Sequence, residues 1–271
     1  MFFMVKLKKM KNFLSEIIET KKSEVERIKV LYKNAIFSEI DKLGNVSENE
    51  FKNRLKKQSA INCIGEIKKS SPSKGLLKKN FDPVKIAGCY HSLDLAAISI
   101  LTDEKYFQGN IKYIRQVKTV TSIPILRKDF IIDPIQIYET KVSGADAFLL
   151  IVKLLSSKQL DEFIGLAEKL SLHCLTEVHT KEEIKKAVNA GAQIIGINNR
   201  DLETFKTDIN ISLELIDCIP SSCIKVSESA LKSADVISRI ADAGFDTVLI
   251  GEQFMRSENI KKTYQELFFK K

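Results

Sequence analysis

From Ile61 onward the chain alternates, eight times over, a short run of apolar and often β-branched residues with an amphipathic stretch. This alternation constrains the fold more than any other feature. It predicts strands over Ile61–Ile67, Ala96–Thr102, Ile123–Arg127, Ala147–Val152, His173–Val178, Ile194–Asn198, Ile224–Ser227 and Thr247–Ile250. The intervening segments, such as SSKQLDEFIGLAEKLS and TKEEIKKAVNAG, carry helical periodicity, and Gly144, Gly191 and Gly244 stand where a helix must end before the next strand. Eight βα units in about 210 residues is the count for a closed parallel barrel, which leaves no sheet edge exposed. An open doubly wound sheet is the competing architecture. It usually has fewer strands and a G-x-G-x-x-G turn after the first of them, and that turn is absent. The expected fold class is α/β, a (β/α)8 TIM barrel with an N-terminal helical extension.

The extension is residues 12–56. NFLSEIIETKKSEVERIKVLY repeats apolar residues at helical spacing, and SENEFKNRLKKQ is a second, short helix with a Ser47/Glu50 capping pattern. Phe51 and Leu55 are the expected anchors of this prefix on one end of the barrel. Residues 1–11 are expected to be a tail, and residues 12–271 a single domain that includes the prefix.

With 271 residues, 44% of them hydrophobic, the chain buries a core without help from a metal or disulfides. Cys63, Cys89, Cys174, Cys218 and Cys223 are scattered and never spaced as C-x-x-C, which points to reduced thiols in a cytoplasmic protein and to no zinc site. The start, MFFMVKLKKMKNF, lacks a secretory core, and no apolar run approaches the roughly 18 residues of a membrane span. The formal charge of +8 suits either a polyanion or a small anionic substrate. Lysines interspersed with glutamates along EIIETKKSEVERIK and KEEIKKAV read as exposed helical faces, which argues against a nucleic-acid partner.

Chemistry in such a barrel sits at the carboxyl ends of the strands. There the sequence places Glu66 and Lys68 (strand one), Lys128 (strand three), Glu177 (strand five), Asn198 and Arg200 (strand six), Glu228 and Ser229 (strand seven) and Gly251 (strand eight). A charged pair such as Lys128-Asp129 is ordinarily a hydrated loop. Its recurrence on five strands, in phase with the inward rows Ile64-Glu66-Lys68, Leu126-Lys128 and Leu175-Glu177, implies a converging cluster suited to acid-base work. Ser70 to Gly75, with hydroxyls and Lys74, and the backbone after strands seven and eight, suggest a phosphate site. No His, Asp and Glu cluster has metal-ligand spacing. The histidines contribute little, His179 being expected to alternate away from Glu177.

The strings EIKKSSPSKG (66–75), PILRKDFIIDPIQIYE (124–139), TEVHT (176–180), IGINNRDLETFKTD (195–208) and VLIGEQFMR (248–256) resemble those of the indole-3-glycerol phosphate synthase family, lyases of the tryptophan pathway, and the resemblance runs from about residue 12 to about residue 268. It implies cofactor-free ring closure of 1-(2-carboxyphenylamino)-1-deoxyribulose 5-phosphate, with loss of carbon dioxide and water. By that resemblance Lys128 is the general acid and Glu177 the base, with Glu66 and Lys68 beside it. Asn198, Arg200 and Glu228 orient the substrate, and Phe130 and Leu202 wall its ring. Lys68, Ser71 and the backbone around Ser229, Ala230, Gly251 and Glu252 take the phosphate. A monomer is expected, with association to other enzymes of the pathway left open. The chain departs from the family pattern at Ala230 and at Asp94-Leu95, where glycine is usual. The alternatives are a barrel isomerase of the phosphoribosylanthranilate type, which would want a cysteine and an aspartate where Glu66 and Glu177 stand, and a non-catalytic nucleic-acid-binding protein.

Overall fold

The structure, a computed structural model, describes residues 2–43 and 50–269, with side chains from residue 13 onward. Eight parallel strands close into a barrel: β1 (Asn62–Ile67), β2 (Ala97–Leu101), β3 (Ile125–Lys128), β4 (Ala147–Ile151), β5 (His173–Val178), β6 (Ile194–Asn198), β7 (Ile224–Glu228) and β8 (Thr247–Ile250). Each pairs with its neighbours in sequence, and β8 returns to β1 with Asn62 opposite Thr247. The TIM barrel expected from the alternation is therefore present, each strand lying within two residues of its expected bounds. Gly144, Gly191 and Gly244 all adopt positive φ at helix ends, as read from the sequence.

Alternation along the strands sorts side chains into two cores. Outward residues such as Ile98, Phe148, Ile195 and Val248 pack beneath the surrounding helices. Inward residues, among them Ile64, Leu126, Leu149, Leu175 and Val226, fill the lumen. The lumen is thus packed, and only its carboxyl end is free to hold a substrate.

The prefix divides between the two ends of the barrel instead of packing on one. It comprises a long helix, α1 (Phe2–Lys42), and a short one, α2 (Phe51–Leu55), which plugs the amino end. Phe51 and Leu55 are fully buried against the lumen, as expected. Burying each contributes on the order of 2–3 kcal/mol. The Leu55 carbonyl accepts from Asn62 Nδ2 at 3.1 Å and from Thr247 Oγ1 at 2.6 Å. Of the expected capping pair, Ser47 lies outside the described residues, and Glu50 makes no side-chain cap.

Helix α1 begins at Phe2 and so runs through residues expected to form a tail, because no proline or glycine interrupts it. It lies along helix Pro134–Ser143, packing Val25 and Ile36 on Ile135 and pairing Lys29 with Asp133 at 2.7 Å. Its Phe13, Leu14 and Ile17 reach the carboxyl end of the barrel. Among the described residues no helix is long and apolar enough to cross a membrane.

Candidate active site

Lys128, the last residue of β3, follows inward-facing Leu126 by two and therefore points into the lumen. Its Nζ donates to Glu228 Oε2 at 2.7 Å and to Glu177 Oε2 at 3.0 Å. Glu66, Lys128, Glu177 and Glu228 all come from odd-numbered strands. In an eight-stranded barrel, alternate strands contribute to one layer of four, so these side chains form the uppermost layer of the lumen. The even strands make room for it. A methyl group on Gly196 of β6 would stand 2.4 Å from Glu228 Oε1, and one on Gly251, just past β8, 2.1 Å from Glu66 Oε2. Lys68 pairs with Glu66 Oε2 at the rim.

Three carboxylates around one buried ammonium cannot all be equally ionised. Burial opposes the charge on Lys128, but Glu177, Glu228 and Glu66 outweigh it and hold the ammonium pKa above its ordinary value. Burial also works against Glu177, where Lys128, then His179 and Asn198, lower the pKa. Glu228 goes the other way. Burial, together with Glu177 and Glu66, pushes it up to about 7 despite Lys128. Neither Glu177 Oε1 nor Glu228 Oε1 has a hydrogen-bond partner among the described residues.

Above this layer opens a cavity of about 580 Å³. It brings together every site residue singled out from the sequence: Glu66, Lys68, Ser71, Lys128, Phe130, Glu177, Asn198, Arg200, Leu202, Glu228, Ser229 and Gly251. One wall is apolar, with Phe130 and Leu202 joined by Phe107 and Ile17. The Ser70–Ser71 and Gly75–Leu76 segments pair as a small antiparallel hairpin, which carries Ser71, Ser73 and Lys74 to the cavity. Ser229, Ala230, Lys232, Gly251 and Glu252 also line it. Glu252 is the counter-charge on this side, 4.0 Å from Lys74 and 3.8 Å from Arg200. Ser229 and Ala230 both sit at left-handed φ, +65° and +61°. The left-handed region favours glycine, which locates the cost of Ala230 in backbone strain. Asp94, the other departure, is likewise left-handed at +47°.

Four functional-site neighbours were not singled out from the sequence. Lys21 of α1 lies in a helix whose lysines read as exposed, yet it is 1% exposed and bridges Asp103 and Asp129, both at 2.7 Å. Asp129 in turn accepts from Thr102 Oγ1, the Phe130 amide and Arg127. The basic-acidic pair Lys128-Asp129 is thus split, one member facing the lumen and the other tied to α1. His179 also departs from expectation. It stands just past β5 and two residues beyond Glu177, so the strand period keeps it on the same face, and its Nε2 comes within 3.6 Å of Glu177 Oε1. Lys206 and Lys232 are further cavity residues that no local pattern marked. Among the described residues no group of three or more His, Cys, Asp or Glu side chains is arranged to hold a metal ion.

Comparison with known proteins gives this geometry a family. A model of that family, indole-3-glycerol phosphate synthase, matches residues 14–267. The indole-3-glycerol phosphate synthase of Thermoanaerobacter pseudethanolicus is 50% identical over 246 residues, covering 90% of this chain and 92% of its own. That of Chloroherpeton thalassium is 44% identical over 252 residues, covering 92% and 96%. Among solved structures, 3-hexulose-6-phosphate synthase superposes with a TM-score of 0.61 at 12% identity, over 76% of this chain and 98% of that one, a likeness of fold alone. With its barrel, its ring of charge and these relatives taken together, the chain belongs to the indole-3-glycerol phosphate synthase family.

Proposed function

We propose that the cavity above Lys128 closes the indole ring of 1-(2-carboxyphenylamino)-1-deoxyribulose 5-phosphate, and that the residues divide the work as follows. The carboxyphenyl ring lies against Phe130 and Leu202. Lys68, Ser71 and the backbone at Ser229, Ala230 and Gly251 receive the phosphate, with Lys74 and Lys232 adding positive charge nearby. Asn198, Arg200 and Glu228 orient the carboxylate and hydroxyls.

The ring carbon that bears the carboxylate attacks the ketone, and negative charge develops on the ketone oxygen. Lys128, held charged by its carboxylates, donates a proton to it. Loss of carbon dioxide returns the electron pair to the ring. A hydroxyl then leaves as water, assisted by the Lys68–Glu66 pair, and Glu177 removes the proton whose loss completes the aromatic indole. No redox step occurs, so no cofactor is called for. A cytoplasmic monomer is part of this reading.

The observation that carries it is the Lys128 ammonium shared between Glu177 and Glu228 at the floor of a cavity with one aromatic wall. The test is to incubate the protein with the substrate and follow indole fluorescence, beside Lys128→Ala. Loss of a positioned acid is expected to lower turnover roughly 10²–10⁴-fold. A folded wild type that forms no product overturns the assignment.

A further inference from the structure

Glu177 is buried at the top of the lumen, 1% exposed, and beneath a bound substrate it has no evident contact with water. The proton it collects still has to leave. The segment from β5 into helix Lys181–Asn189 supplies a path. His179 Nε2 lies 3.6 Å from Glu177 Oε1, and its Nδ1 lies 3.5 Å from Glu183 Oε2. Both contacts are longer than a formed hydrogen bond, and neither ring nitrogen nor Glu177 Oε1 has a hydrogen-bond partner among the described residues.

The arrangement is held from several sides. The His179 amide donates to Glu183 Oε2 at 2.7 Å, and Thr180 caps the helix by accepting from the Glu183 amide at 3.2 Å. Glu183 is more open to solvent, its side chain 16% exposed against 2% for Glu177. A carboxylate, an imidazole and a second carboxylate thus run from the lumen toward the outside of the barrel.

We propose that His179 is a positioning residue that fixes Glu177 and passes its proton outward to Glu183. This rests on the reading of Glu177 as the base. The step moves only a proton. The substrate C–H bond breaks, its electron pair restores aromaticity, and the proton goes to Glu177. Nε2 takes it from Oε1 as Nδ1 releases its own proton to Glu183 and then to water.

The charge around the ring favours such a carrier. The titratable groups that act on it are Glu177 of β5, Glu183 of the helix and, more distantly, Glu228 of β7. Lys128 lies on the far oxygen of Glu177, and Lys186 of the same helix is occupied by the carbonyls of Val152 and Leu155. Burial opposes a charge on the imidazole, but Glu183 and Glu177 outweigh it and raise its pKa.

The test compares His179→Ala and His179→Gln in the fluorescence assay, with and without added imidazole. Both are expected to lower kcat by about a hundredfold with KM little changed, the low end for one positioned proton-transfer group. Imidazole is expected to restore His179→Ala and not His179→Gln, whose side chain fills the site. Both variants should also raise the acid limb of the kcat profile, because Glu177 loses a neighbouring cation.

A His179→Gln enzyme with wild-type kcat and pH profile overturns the proposal. So does a fall in kcat that imidazole leaves unrepaired in His179→Ala, since a packing role would give that result. Glu177→Gln, run alongside, separates the two readings. If it loses turnover and gains nothing from imidazole, the base assignment stands whatever the histidine does. If it retains turnover, the base assignment itself has failed.

Discussion

Two lysines are enclosed at the carboxyl end of this barrel, Lys21 buried and Lys128 with 12% of its side chain exposed, and their surroundings differ. Lys21 pairs with Glu24, Asp103 and Asp129 at 2.7–2.8 Å, and Asp129 draws further donors from Thr102, Phe130 and Arg127. Burial would raise the Asp129 pKa, but Lys21, Arg127 and these hydrogen bonds hold it at about 2. Lys128 pairs with Glu177 and Glu228, which have no second cation comparable to Arg127 in salt-bridge contact among the described lysines and arginines. Each of its two partners keeps an oxygen without a donor, and Glu228 rises to about 7. A buried ion cluster in which two cations and several hydrogen-bond donors hold the central carboxylate ionised keeps a structure together. One in which carboxylates compete for a single ammonium is poised to take up or release a proton near neutral pH.

Substitutions can break or sharpen this contrast. Lys21→Met leaves Asp103 without its cation and Asp129 with Arg127 alone, and urea unfolding is expected to show a loss of about 3–5 kcal/mol while the folded fraction still turns over. An unchanged unfolding midpoint would erase the distinction between the clusters. Gly196→Ala and Gly251→Ala push on Glu228 and Glu66 themselves. Each is expected to lower kcat/KM on the order of a hundredfold by displacing a carboxylate. Gly165→Ala, whose added methyl meets nothing within 4 Å, serves as the control and should leave activity unaltered.

A third comparison uses pH. The raised Glu228 pKa means that the folded state resists losing this proton, so its contribution to stability is lost as pH rises from about 4.5 through about 7. Glu228→Gln removes that loss and is expected to be about 1–3 kcal/mol more stable than the wild type at pH 8, though impaired in turnover. Asp129 carries the opposite sign. Its stabilisation is present above about 3.8 and is lost as pH falls toward about 2. Equal pH dependence of unfolding in Glu228→Gln and wild type would contradict this. The smallest effect belongs to the backbone: Ala230→Gly relieves a left-handed alanine and should raise stability by roughly 0.5–1 kcal/mol.

Much of this was legible in the chain because it depends on local period. The strand-helix alternation carried the barrel, and counting by two from Ile64, Leu126 and Leu175 located Glu66, Lys128 and Glu177 at its mouth. Phe51 and Leu55 stood out as paired apolar residues in an otherwise polar segment. What stayed hidden depends on contacts between distant parts of the chain. Lys21 looks like any surface lysine until loops beyond β2 and β3 bring Asp103 and Asp129 to it. Gly196 and Gly251 are defined by space, which has no sequence period. His179 was legible too: counting by two once more from Glu177 keeps it on the same face, and the expectation that it alternates away contradicted the strand period itself.

The Leu55 carbonyl also has a consequence in time. It accepts from Asn62 on β1 and from Thr247 on β8, the strands whose pairing closes the barrel, and the second contact spans 192 residues. During synthesis, that clasp cannot form until nearly the whole chain has emerged. Until then β1 and the most recently formed strand are both open edges, the condition in which nascent sheets associate wrongly. So non-local a closure also makes for slow folding. Helix α2, already made and adjacent to β1, waits at the seam and secures the last strand when it arrives.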